Sequence, residues 1–99
     1  MAETPKQEIK IYFPKELAGG AYANNVLIQH SKEEFIMDFI MLVPPTGTVG
    51  ARVVTCPAHA KRIAAALQEN IEKYEKTHGT IQVEERAKMP VDLNLYTKQ

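Results

Sequence analysis

The apolar positions of this chain change their period once. From Tyr22 to Cys56 they form short runs rich in β-branched and aromatic residues, whereas from Pro57 onward they recur at spacings of three and four. The runs YANNVLIQH and EEFIMDFIML are separated by Ser31 and Lys32, a spacing that predicts two strands joined by a short hairpin loop. VPPTGTVG follows with two prolines and two glycines, which predicts a second connection before a strand at ARVVTC. Three antiparallel strands in a meander are expected.

Pro57 suits the first position of a helix, because its φ is fixed and it has no N–H to leave unpaired, and Gly79 suits the left-handed position that ends one. Between them Ala60, Ile63, Ala64, Leu67, Ile71 and Tyr74 fall on one side, and Lys61, Arg62, Gln68, Glu69, Glu72, Lys73 and Lys76 on the other. Glu69 with Lys73 and Glu72 with Lys76 are spaced for supporting ion pairs. The pattern predicts an α+β fold in which an antiparallel β-meander of three or more strands is packed by one long α-helix in the C-terminal half.

The second strand is apolar on both alternating sets. Phe35, Met37, Phe39 and Met41 point one way, and Ile36, Ile40 and Leu42 the other. One helix covers one face of a single-layer sheet, so the second face needs cover from the termini or from another copy. Ile9, Ile11 and Phe13, and also Val91, Leu93 and Leu95, alternate with polar residues, and each set is a candidate edge strand. The expected organisation is a single domain over residues 1–99, with its core at about residues 20–83 and flexible or edge-strand termini at 1–19 and 84–99.

Charge sharpens this picture. The twelve basic and twelve acidic residues cancel, which argues against nucleic-acid or anionic-membrane binding, since both need a positive excess. Only five of those twenty-four charges lie between Ala21 and Pro57, so the predicted sheet is the charge-poor part of the chain. The lone Cys56 has no internal disulfide partner, and no secretory leader pattern is visible over Met1–Gly20. The longest apolar stretch, Phe35–Val43, contains Asp38 and falls far short of the about 20 residues a membrane helix needs. A cytoplasmic location is expected.

The order AYANN, EFIMDF, ARVVTCPAHAKR and ALQENIEKYEKTHGTI resembles a family of small bacterial and archaeal proteins known as domain of unknown function 3467. The resemblance covers about residues 20–83. It is carried by Tyr22, Ala23 and Asn24 at the first strand, Glu34, Phe35, Asp38 and Phe39 on the second, and Arg52 on the third. Pro57, Ala60 and Lys61 carry it at the start of the helix, and Tyr74, Glu75 and Gly79 at its end. Where that family usually has serine before the helix proline, this chain has Cys56, so a capping hydroxyl is missing. The resemblance implies a fold and no assigned activity. A meander followed by a long helix is also similar in architecture to the secretion chaperone SecB, although no SecB sequence motif is present.

Asp38 is the oddest residue, a carboxylate inside FIMDFIML. With the second hairpin centred on Pro44–Thr46 it falls opposite or next to Arg52, and with the first centred on Ser31 and Lys32 it faces Asn25. The row Asn25, Asp38, Arg52 reads first as a structural ion pair with an amide partner that fixes strand register, and only second as a ligand-binding carboxylate and guanidinium. Cys56 and His59 lie close to a helix start but have no companions at metal-ligand or catalytic spacing, so no metal is expected. Gly19 and Gly20 do not belong to a phosphate-binding turn, and no cofactor is expected.

The sequence therefore predicts a non-enzymatic oligomeric interaction or adaptor module. A homodimer or higher homo-oligomer is expected, with Phe35, Met37, Phe39 and Met41 as interface candidates and another protein as an alternative partner. The alternatives are a SecB-like chaperone for apolar segments, and a small-ligand sensor or enzyme that uses the Asp38 and Arg52 row.

Overall fold

The structure is a computed structural model that describes residues 6–84. The elements run β1 (Asn25–His30), β2 (Phe35–Val43), β3 (Thr46–Thr55) and α1 (Pro57–His78), the β-β-β-α order of an α+β fold that the pattern predicts. The chain divides between Arg62 and Ile63, within α1, into two compact units, and the sheet and the helix are described in turn.

The sheet is an antiparallel meander with strand order β1-β2-β3. Its first hairpin turns through Ser31–Glu34, a wider loop than the Ser31–Lys32 connection expected. The Ser31 hydroxyl accepts from the Glu33 and Glu34 amides, both at 3.2 Å, while the Ser31 N–H donates to the Glu34 carbonyl at 2.9 Å. Serine thus supplies a local acceptor that holds the wider turn closed. His30 stacks on Phe35 just beyond it, with ring centroids 5.3 Å apart.

The second hairpin is tighter than predicted. Pro44 and Pro45, joined by a cis peptide bond, make the whole turn, and β3 starts at Thr46 rather than at Ala51. The segment TGTVG, read from sequence as part of the connection, is strand because β2 extends to Val43 and its backbone groups need partners. Gly47 permits this at close quarters: a β-carbon there would lie 2.9 Å from Leu42 Cδ1 and 3.4 Å from Ile40 Cγ2. A bulge leaves Gly50 between Ala51, opposite Phe39, and Val49, opposite Ile40.

The segment Lys6–Pro14, a candidate edge strand at Ile9, Ile11 and Phe13 or else a flexible terminus, has no strand partner among the described residues, and a single 3-10 turn follows at Lys15–Leu17. The corresponding expectation for Val91, Leu93 and Leu95 lies outside the described residues.

Helix α1 begins at Pro57, as predicted, with the Ala60 amide donating to the Cys56 carbonyl at 3.0 Å. It ends at His78, where Gly79 takes φ +88° and its N–H returns to the Glu75 carbonyl at 2.9 Å, the left-handed cap the sequence marks. Glu69 and Lys73 form the expected pair at 3.2 Å, whereas Glu72 accepts from Gln68 at 3.4 Å. Leu67 and Tyr74, on the apolar stripe, are both exposed.

Candidate functional site

Register decides what each sheet face carries. The face that holds Asp38 collects Asn25, Leu27 and Gln29 from β1, Ile36, Ile40 and Leu42 from β2, and Arg52 and Val54 from β3. The opposite face collects Val26, Ile28 and His30, then Phe35, Met37, Phe39, Met41 and Val43, then Ala51, Val53 and Thr55. The Asp and Arg side chains of the sheet are confined to the first face. The second is a continuous apolar surface broken only by His30 and threonines.

Asp38 lies directly opposite Arg52 and is 1% exposed. Arg52 Nε donates to Oδ1 at 2.6 Å and Nη2 donates to Oδ2 at 2.8 Å, a two-pronged pairing in which the planar guanidinium matches both carboxylate oxygens. The Arg52 side chain remains 53% exposed, so the pair is buried at its acidic end and wet at its basic end. Arginine suits this geometry because its stem can lie along apolar neighbours while its head reaches water. A carboxylate held in this way fixes the β2–β3 register, since a slip of one residue would turn Asp38 onto the apolar face.

Asn25 shares the face but does not stand opposite Asp38. Leu27 occupies that position, and Asn25 faces Ile40. The wider first loop shifts the β1 register by two residues, an even number that keeps Asn25 on the same face while moving it one pair along. Of the predicted row, Asp38 and Arg52 stand directly opposite each other, and leucine takes the β1 position beside Asp38.

The neighbouring Asn24 has a role that sequence reading missed. Its side-chain Nδ2 donates to the Leu42 carbonyl at 2.9 Å, and its Oδ1 accepts from the Leu42 N–H at 2.7 Å. A primary amide offers one donor and one acceptor in the spacing of a peptide group, so Asn24 continues the β1–β2 ladder with its side chain. Its own N–H donates to the Ile40 carbonyl at 3.0 Å. The sequence signals are an Asn-Asn pair at the mouth of a β-forming run and the place of Asn24 in the family resemblance.

Among the described residues Asp38 is the one buried polar or charged side chain, and no hydrophobic side chain is buried. Val26, Ile28, Met41, Val43 and Val53 of the apolar face are exposed, against Val49 and Val54 on the other. Cys56 is a free, exposed thiol. No group of three or more His, Cys, Asp or Glu among the described residues is placed to hold a metal ion, and none of their helices is long and apolar enough to cross a membrane.

The family model described as "Protein of unknown function (DUF3467)" matches residues 1–83, and the chain belongs to that family. Comparison with curated proteins and with solved structures gives no match.

Proposed function

We propose that this family member is a small, non-enzymatic, cytoplasmic interaction module that works as a homo-oligomer, with the apolar face of its sheet as the contact. The observation that carries this reading is that no hydrophobic side chain among the described residues is buried, although hydrophobic residues make up 44% of the chain. A soluble protein rarely leaves a contiguous apolar surface of this kind open to water, and such a surface most often marks a protein contact. Half-buried Phe35, Met37 and Phe39 and exposed Met41 form its central row, with exposed Val26, Ile28 and Val53 beside them. A second copy supplies the same surface, and a two-fold axis pairs it with itself. Zero net charge removes mutual repulsion between copies.

The non-enzymatic reading is supported by the use of the one charged pair on the sheet. Both oxygens of Asp38 are engaged by Arg52 in a carboxylate that is itself out of water, an arrangement suited to holding strands in register rather than to transferring protons. Light scattering coupled to size-exclusion chromatography tests the proposal. The expected mass at micromolar concentration is twice that of the chain or more. A monomer would overturn it, and a monomer that binds unfolded or apolar peptides would favour the chaperone alternative.

A further inference from the structure

We infer that the segment Ile9–Phe13 is an exchanged arm that adds a strand to the outer edge of β1 in a second copy, an inference that rests on the homo-oligomer proposed above. Ile9, Ile11 and Phe13 alternate with Lys10 and Tyr12, the period of a strand with one apolar side. They are 79%, 89% and 70% exposed, and Pro14 ends the segment. A sequence patterned for a sheet edge, held away from the sheet of its own chain, is complete only against another edge.

Two edges are available for comparison, and chemistry separates them. On β3 the ladder is interrupted at Gly50, and the segment beyond it carries Arg52. An arm laid there with its apolar side on the apolar face would bring Lys10 onto the face that holds Arg52, a pairing of like charges. β1 has no bulge, no proline and no Lys, Arg, Asp or Glu over Asn25–His30, and so lacks the usual devices that protect an edge. Its apolar-face side chains, Val26 and Ile28, are 41% and 57% exposed and would lie beside Ile9, Ile11 and Phe13. The Ser31 amide donates across the hairpin to Glu34, so by alternation Gln29, Leu27 and Asn25 turn their backbone groups toward β2, and Val26 and Ile28 turn theirs outward.

Area points the same way. A sheet face about 30 Å long and three strands, about 14 Å, wide offers on the order of 400 Å² per copy. A stable interface of standard size takes about 800 Å² from each partner. Face-to-face contact of the sheets supplies about half of this, and reciprocal arms laid along β1 extend the same apolar surface beyond its edge.

Backbone amide exchange measured residue by residue on the full chain, at concentrations above and below assembly, tests the arm. The expected result is that the amides of Ile9–Phe13 and of Val26 and Ile28 exchange at least about tenfold more slowly in the oligomer than in the diluted protein, and that Ile11→Pro abolishes the slowing in both segments. An oligomer whose Ile9–Phe13 amides exchange at coil rates would overturn the arm and leave the oligomer standing. Protection that survives dilution to monomer would place the arm, or another segment of the same chain, on its own sheet and overturn the exchange. A protein that is monomeric at every concentration would overturn both.

Discussion

The two faces of β2 differ by one residue in their chemistry and by much more in their consequences. On one face Ile36, Ile40 and Leu42 surround Asp38, whose carboxylate is taken out of water and clasped by Arg52 from the next strand. On the other face Phe35, Met37, Phe39 and Met41 carry no charge at all. The first face spends its polar chemistry inside the chain, on register. The second has directionless apolar surface, which any complementary apolar surface can cover. A sheet this small can thus be told which way up to pair by one ion pair on one face, while the other face stays wholly apolar apart from His30 and threonines.

Cutting the ion pair should have the largest effect. Arg52→Met keeps much of the stem and removes a two-pronged partner of a carboxylate that is almost fully buried. Loss of a buried partner costs about 3–5 kcal/mol, and the lower end applies because the guanidinium is half in water. Chemical denaturation should show a loss of about 3 kcal/mol, a large part of what a domain of this size has. A change below about 0.5 kcal/mol would mean that Asp38 is held by something other than Arg52.

A smaller effect is expected where neither face is touched. Asn24→Ala removes two hydrogen bonds to the Leu42 backbone and should lower stability by about 1–2 kcal/mol in the same assay. Because the ladder is weakened at the mouth of β1 and the apolar face is unchanged, the number of subunits per particle should stay as in the unaltered protein. Dissociation of this variant would show that assembly depends on β1 order as well as on side-chain contact.

Much of the fold was legible because it is written in period and punctuation. The switch from β-forming runs to a three-and-four spacing, the proline at position 57 and the glycine at position 79 set the helix, and both ends fall where those residues put them. The strands were legible as strands, but not at their ends. TGTVG reads as a connection because glycine and threonine are common there, and only the length of β2 makes it a partner strand. The first loop was read two residues too short, because the closing power of the Ser31 hydroxyl depends on a geometry that no periodicity records. That shift displaced Asn25 from Asp38 while leaving Asp38 opposite Arg52. Asn24 was invisible as a ladder residue, since an amide that imitates a peptide group looks in sequence like any polar residue before a strand. Ile9, Ile11 and Phe13 carry the pattern of a strand but have no strand partner among the described residues.

Adjacent residues of β3 lie on opposite faces and allow a matched test of which face is the contact. Val53 lies on the apolar face and Val54 on the face of Asp38, with exposures of 42% and 48% that make the intrinsic cost of a lysine similar at both. Sedimentation across a concentration series should find Val53→Lys shifted to monomer, with an assembly constant weakened by at least about a hundredfold, an interfacial penalty of roughly 3 kcal/mol. Val54→Lys should sediment as the unaltered protein does. Equal masses for the two variants, or dissociation by Val54→Lys alone, would contradict the assignment of the apolar face as the surface through which copies of this chain meet.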